Sequence, residues 1–574
     1  MFQLTATENF RTALSERTVS DGILQIRLTA DSTAGAQPMT MELKWQVPCI
    51  GVHGIWTPLS FRDSAIPADW CGPHSFNCTH SAPVLTALDY ADNNRMTIAC
   101  ADAKNAVSIK CGVIEETGDL DCRVIIRIPS AITHYETDIR IDTRDIKFYK
   151  SVDDIAAWWE TYDGYTPAFV PDDARMPLYS AWYSYHQEID VPAIIEECRQ
   201  FAKAGCRVLI VDDGWQTDDN NRGYDYCGDW KPTTVKVPDM KAFVDGVHEA
   251  GMKFMLWYSV PFVGEYTEAY ERFKDKMLRH DRSKTYVVDP RYPEIRDYLI
   301  GLYKNAVIEW GLDGFKLDFV DSFSGSDTVR EGMDYVSVYD AVDRLFKDLV
   351  AALRALNPDI LIEFRQAYIG PLMRTFGNMF RSGDCPADSR TNRLNTLALR
   401  MTCRSSAVHS DMVMWSYKET PEQAAYQLTN VLFSVPQIST RWHTMTEGQR
   451  DMVAAYTALW IKYRDTLLMG EMMYRGHINN YPYVSARSAN TQVGAIYHGR
   501  TAFIETLTDE IVLVNASPEH KIFIEAQDTA AYTYQISDCM GNAVAGGQVT
   551  VGADHLAVIS DVPENGVVVC TVVR

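Results

Sequence analysis

Over residues 1–150, apolar and polar positions alternate in short runs such as ILQIRLTA, MELKWQV, RMTIACADA, VSIKCGVIEE and CRVIIRIPS, separated by Gly, Pro, Asn and Asp. Alternation with period two over five to eight residues marks half-buried strands. This segment is expected to form an N-terminal β-sandwich. A connecting segment, 151–175, follows, with a short helix predicted at VDDIAAWWETY.

From about Met176 the rhythm changes. Eight apolar runs occur in order: LYSAWYSY, CRVLIVDDG, KFMLWYS, GFKLDFV, ILIEFR, MFRSGD, DMVMWS and VPQIST. Between most of them lie segments whose apolar residues recur at three and four, such as PAIIEECRQFAKAG, MKAFVDGVHEAG and VYDAVDRLFKDLVAALRAL. Several of these close with Gly or Asn, as helix C-termini do. Eight strand–helix units predict an α/β fold built on a central (β/α)8 TIM barrel over 176–466. A doubly wound open sheet is the competing arrangement. After a last helix at RDMVAAYTALWIKYRDTLL, alternating strands return, and 467–574 is expected to form a small C-terminal antiparallel β-sheet domain.

Composition changes this picture little. The chain has 574 residues, 46% of them hydrophobic and 23% charged, a balance that supports several globular domains. The net charge of −22, with no long basic run, argues against a nucleic-acid partner. No run of 18 apolar residues is present, so no membrane span is expected. The first residues lack the apolar core of a secretory signal. The 13 cysteines are odd in number and form no CxxC pair, which fits a reduced cytoplasm better than a disulfide framework. A homo-oligomer is compatible with the sequence. Trp45, Trp56 and Trp70 of the sandwich could close a site in the same or a neighbouring subunit, although core packing is the better explanation of them.

In such barrels the reacting groups stand at the C-terminal ends of the strands. The second run ends in Asp212-Asp213-Gly214-Trp215, the third near Trp257, and the fourth in Lys316-Leu317-Asp318. The fifth ends in Glu363-Phe364-Arg365, the sixth in Arg381-Ser382-Gly383-Asp384. The seventh opens at His409-Ser410-Asp411, and His186 closes the first. Carboxylates, cations and aromatics thus collect on one face. Cleaving a glycosidic bond needs one carboxyl to protonate the leaving oxygen and a second to capture the oxocarbenium-like centre. Lys316 and Asp318, two residues apart on a strand, share a face, and the cation would keep Asp318 ionised. A barrel-interior ion pair without chemistry is the alternative. Asp384 at a strand end is the candidate acid/base. Asp388 is its rival, although its position before SRTNRLNTL also suits a helix N-cap. The adjacent Asp212 and Asp213 need ligand hydroxyls or cations to share their charge. A metal would need further ligands that the sequence does not supply, so neither metal nor cofactor is expected.

At Asp212-Asp213-Gly214-Trp215, Lys316-Leu317-Asp318 and Arg381-Ser382-Gly383-Asp384 the chain resembles family 36 glycoside hydrolases, the α-galactosidase group, and more distantly families 27 and 31. The resemblance implies a retaining α-glycosidase acting on oligosaccharides or other glycosides, with Asp318 as nucleophile and Asp384 as acid/base. It implies sugar contacts from Asp212, Asp213, Lys316 and Trp257, and from Arg282 ahead of Tyr286-Val287-Val288-Asp289. Trp215, Arg365, Asp411 and His186 complete the expected substrate-binding set. The sequence departs from the family after the fifth run, where Glu363-Phe364-Arg365-Gln366-Ala367-Tyr368 replaces a Cys-Ser-Gly-Gly stretch near the sugar's 2-position. An α-N-acetylgalactosaminidase, another α-glycosidase or a raffinose-synthase-like transglycosylase are therefore alternatives, and a silent sugar-binding protein is a third class.

Overall fold

The computed structural model describes residues 1–59, 64–326 and 328–573. Eight parallel strands form the central sheet: β1 (Leu178–Ser180), β2 (Val208–Val211), β3 (Lys253–Ser259), β4 (Gly314–Asp318), β5 (Leu361–Arg365), β6 (Met379–Arg381), β7 (Ala407–His409) and β8 (Gln437–Ile438). β8 pairs with β1, and the gap between β7 and β8 is bridged by Ser410 N–H to Val435 O (3.0 Å) and Val435 N–H to Val408 O (2.8 Å). The sheet is therefore a closed barrel rather than a doubly wound open sheet. Strands buried on both faces explain why these runs are apolar throughout instead of alternating.

Several runs are shorter than their sequence suggests, and two of them, the first and the seventh, also move expected site residues. β1 stops at Ser180, and Trp182–Tyr185 winds into a helical turn that ends at His186, whose backbone is left-handed (φ 48°). The seventh strand is Ala407–His409, not DMVMWS. Asp411 therefore lies beyond its end. Between β3 and the next helix the chain inserts a three-stranded antiparallel sheet, Phe262–Gly264, Met277–Arg282 and Thr285–Val288. It lies over the barrel mouth's β2–β3 side, where its aromatic residues meet those of the β2 loop.

Residues 3–142 form two facing antiparallel sheets of five and six strands. Ile26, Leu28, Leu43, Ile98, Ile109, Val124 and Ile139, drawn from both sheets, fill the space between them. Trp45 and Trp56 are buried, whereas Trp70 is 69% exposed. The helix Phe148–Trp159 leads from this sandwich into the barrel, as VDDIAAWWETY predicts. The C-terminal strands, from Glu471–Arg475 to Val567–Val572, are predominantly antiparallel. Two pairs are parallel: Thr491–Ile496 with Glu510–Val514, and Thr501–Ile504 with Lys521–Ala526. All 13 cysteines are free and all but Cys49 and Cys71 are buried, as small apolar packers. Among the described residues, no helix is long and apolar enough to cross a membrane.

Candidate active site

Asp318 is the last residue of β4, and its side chain is 10% exposed. Four donors converge on its carboxylate. Trp257 Nε1–H donates to Oδ2 at 3.0 Å. Oδ1 accepts from Arg365 Nε at 2.6 Å, from Phe319 N–H at 2.7 Å and from the Tyr368 hydroxyl at 3.2 Å. Burial alone would raise the pKa of Asp318. The opposing fields of Arg365 and Lys316 hold it well below the usual carboxylate range, so it stays ionised.

Strand register places the partners. Lys316 sits opposite Trp257 on β3 and Glu363 on β5, and Arg365 sits opposite Arg381 on β6. Lys316 is 4% exposed and donates to Asp212 Oδ2. Burial works against its charge, and Asp212, Asp318 and Glu363 together outweigh that cost, leaving the pKa of Lys316 raised. Asp212 and Asp213 do not confront each other. Asp213 Oδ2 accepts from Gln187 Nε2 (2.7 Å) and Oδ1 from Gln216 Nε2 (2.6 Å), while its own N–H donates to Asp212 Oδ1 (3.0 Å). Burial pushes the Asp213 carboxyl up to about 6.

Arg381 is the second anchor. Its guanidinium is fully buried, donating to Asp411 and to Asp384 Oδ1 (2.9 Å), with Glu363 Oε1 3.7 Å away. The Asp384 side chain is 64% exposed at the open end of the barrel, in contrast to the enclosed Asp318. Its concave surroundings disfavour its charge, but Arg381 and Lys316 overcome this and lower its pKa. Asp388 accepts from the Thr391 N–H (2.9 Å) and hydroxyl (2.6 Å) as N-cap of the helix Ser389–Cys403.

The structure thus brings Asp212, Trp257, Lys316, Asp318, Arg365 and Asp384 together. Of the other expected contacts, Trp215 and Asp411 are buried behind the mouth, whereas Arg282 and His186 stand at its edge. Trp215 is fully buried behind the strands, its Nε1–H donating to Trp257 O (2.9 Å), and packs on Trp230, Tyr258 and Trp310. Its large apolar ring fills the barrel-to-helix layer. Asp411 is fully buried, its carboxylate occupied by Arg381, the Cys385 N–H (2.7 Å) and the Tyr183 hydroxyl (3.0 Å), and so supports Arg381 from behind. Arg282 is a rim residue, held by Asp281 (2.6 Å) over the rings of Tyr224 and Phe262. His186 packs edge-on against Trp182 within the field of Asp212, and burial lowers its pKa. Sequence reasoning quoted Glu363 and Tyr368 without assigning either a role, and it missed Tyr224. Burial pushes Glu363 up to about 7, despite Arg381 and Lys316. Among the described residues, no group of three or more His, Cys, Asp or Glu could hold a metal ion.

A closed barrel with a clamped carboxylate on β4 and an exposed one after β6 has the form of a glycosidase site. The Melibiase family model matches residues 169–364, the segment that carries Asp212, Lys316 and Asp318. The bifunctional alpha-galactosidase/sucrose kinase AgaSK of Mediterraneibacter gnavus is 26% identical over 200 residues, 33% of this chain and 20% of that protein. Alpha-galactosidase Mel36A of Lactobacillus acidophilus is 27% identical over 212 residues, covering 33% and 27%. The aligned stretches therefore span about a fifth to a quarter of these relatives. The fold likeness extends further. The AgaSK galactosidase domain superposes with a TM-score of 0.67 at 11% identity, over 98% of this chain and 80% of that one. Family 36 alpha-galactosidase AgaA of Geobacillus stearothermophilus, solved with raffinose, gives 0.63 at 13% identity, over 98% and 81%. The resemblance to family 36 glycoside hydrolases read from the motifs is borne out.

Two outcomes test this electrostatic description. Glu363 keeps its proton in the fold up to about pH 7, against an ordinary 4.5. The stability it contributes is fully present below pH 4.5 and is lost as pH rises through 7. Glu363→Gln should therefore gain in Tm relative to wild type between pH 5 and pH 8, measured by calorimetry. A pH-independent difference would contradict the assignment. Asp388→Ala should lose about 1 kcal/mol of stability in denaturant unfolding, the cost of an N-cap. Unchanged stability would remove it from that role.

Proposed function

We propose that this chain is a retaining α-glycoside hydrolase that releases a terminal α-linked galactose-type sugar from oligosaccharides or other small glycosides. The observation that carries this reading is the clamped, ionised Asp318 at the barrel mouth beside the exposed Asp384. Asp318 Oδ attacks the anomeric carbon while Asp384 gives its proton to the glycosidic oxygen. The C–O bond breaks, and the leaving sugar departs as an alcohol. Asp384 then takes a proton from water, whose oxygen attacks the same carbon and releases Asp318. Two inversions retain the configuration. The bond from Arg381 lowers the pKa of free Asp384. A bound sugar displaces water from the exposed carboxyl and favours the protonated form needed for the first step.

Sugar hydroxyls are held by Asp212 and Lys316, whose charges neutralise one another, with Trp257 as an apolar wall and His186 and Arg282 at the rim. The relatives are alpha-galactosidases in the main, one of them solved with raffinose, which supports galactose. By the family resemblance, the segment after β5 lies near the sugar's 2-position. There the Arg365 guanidinium is already committed to Asp318 and to Gln366 O (2.7 Å) and is flanked by Tyr368. This wall favours a small, neutral 2-hydroxyl over an acetamido or acidic substituent.

A panel of nitrophenyl α-glycosides tests the specificity. The galactosyl compound should be cleaved fastest and the N-acetylgalactosaminyl compound at least about tenfold more slowly, the effect of one lost pocket fit. The reverse order would overturn the assignment of the β5 wall. Asp318→Asn should lower kcat at least about 10³-fold with the fold intact by circular dichroism. Asp384→Ala should regain turnover with azide, yielding a glycosyl azide. If azide rescues nothing, the acid/base lies elsewhere.

A further inference from the structure

The loop after β2 and the insert after β3 run side by side away from the nucleophile. Innermost, Tyr224 stacks on Trp257 (ring centroids 6.2 Å apart) and meets Phe262 (5.3 Å). One step outward the two segments are laced together: Gly264 N–H donates to Cys227 O (2.8 Å) and Tyr266 N–H to Asp225 O (3.2 Å). They approach so closely that a Cβ on Gly264 would lie 2.0 Å from Asp225 O, so only glycine fits. Asp225 also fixes the hairpin turn, accepting from the hydroxyls of Ser283 and Thr285 (3.0 Å each) and from Lys284 N–H (3.3 Å).

On this rigid support, two residues beyond Tyr224, stands Tyr226, and it faces Tyr266 with ring centroids 4.9 Å apart. Both are exposed, at 38% and 52%. Tyr224 to Cys227 is a turn, closed by Cys227 N–H to Tyr224 O (3.0 Å), and Tyr226 stands within it. A second, exposed aromatic pair thus lies beside the first, more enclosed one. Large rings are ordinarily buried or engaged, because leaving them in water forfeits their apolar contribution. These two are held in water by backbone that cannot collapse onto them. The cations beside them belong to the same hairpin: Arg282 over Tyr224 and Phe262, Lys284 over Tyr266 (4.3 Å).

We propose that Tyr226 and Tyr266 form an accessory subsite that stacks a neutral pyranose of the leaving group, so that the protein takes short oligosaccharides in preference to simple glycosides. The proposal rests on the α-glycosidase reading above. The leaving oligosaccharide lies along the β2–β3 side of the mouth, with its first ring beside Tyr224 and a later one on the outer pair.

The test compares stachyose with α-galactosyl fluoride, whose leaving group is too small to reach the outer rings. In Tyr226→Ala/Tyr266→Ala, the ratio of kcat/KM for stachyose to that for the fluoride should fall at least tenfold, mainly through KM. Tyr226→Phe/Tyr266→Phe, which keeps the ring faces, should restore it. An unchanged ratio overturns the subsite, including the case in which the patch proves to be a contact between copies of this chain and only the oligomeric state changes. If the alanine variant melts early, Tyr226→Leu/Tyr266→Leu keeps the apolar volume without the ring faces and gives the same comparison. If wild-type protein cleaves no α-glycoside, the hydrolase reading has failed. Calorimetric titration of stachyose into Asp318→Asn with and without the two tyrosines still reads the subsite: equal affinity overturns it, and at least tenfold weaker binding without the rings supports it.

Discussion

An ionised carboxylate inside a protein is tolerated only where its charge is answered locally. Asp318 imposes that constraint on this barrel. Its answer comes from Arg365 and Lys316, and each of those buried cations needs an anion in turn. Lys316 has Asp212 from β2's end, and Arg365 has Asp321 3.7 Å away in addition to Asp318. The next cation, Arg381, lies between Asp411, Asp384 and Glu363. The network therefore runs from the end of β2 across β4, β5 and β6 to the segment after β7. Breaking a buried pair from one side typically costs 3–5 kcal/mol, because the remaining charge is stranded. Positioning of the proposed nucleophile and stability of the barrel interior are therefore the same interaction.

The surrounding domains hold the loops that carry this network. From the sandwich, the Thr79 hydroxyl donates to Phe323 O beyond β4, and Ser81 N–H donates to Ala367 O beyond β5. These contacts fall on the two segments that present Phe319, Asp321 and Arg365. The sandwich thus braces the side of the mouth that answers the charge of Asp318. On the opposite side, the insert after β3 brings Phe262 against Phe319 (4.7 Å) and sets Arg282 at the rim.

Much of this was legible in the residues. Eight apolar runs separated by helical periods give the barrel, because strands buried on both faces have little choice but to be apolar. Lys316 and Asp318 were recognisable because two charges in such a run are costly unless they answer each other. Asp384 and Asp388 could not be separated by sequence, since both follow a strand and precede a helix; the Thr391 hydrogen bonds assign Asp388 to the cap. Trp215 and Asp411 show where linear proximity misleads. Each lies within a few residues of a strand end, yet the chain turns them inward, one into the layer behind the barrel and one beneath Arg381. Tyr368 carried no local signal, because its hydroxyl reaches Asp318 only after the loop beyond β5 folds back. The hairpin insert is not among the strands expected from the sequence, because its strands are short and mixed in polarity.

In the proposed mechanism Asp318 forms a covalent bond to the sugar. This is tested most directly by incubating the protein with a slow fluorinated α-galactoside, digesting it and locating the added mass by tandem mass spectrometry. A single glycosylated peptide with the sugar on Asp318 is expected. A sugar found on Asp384 or Asp212, or full turnover with the Asp318 peptide unlabelled throughout, would contradict it.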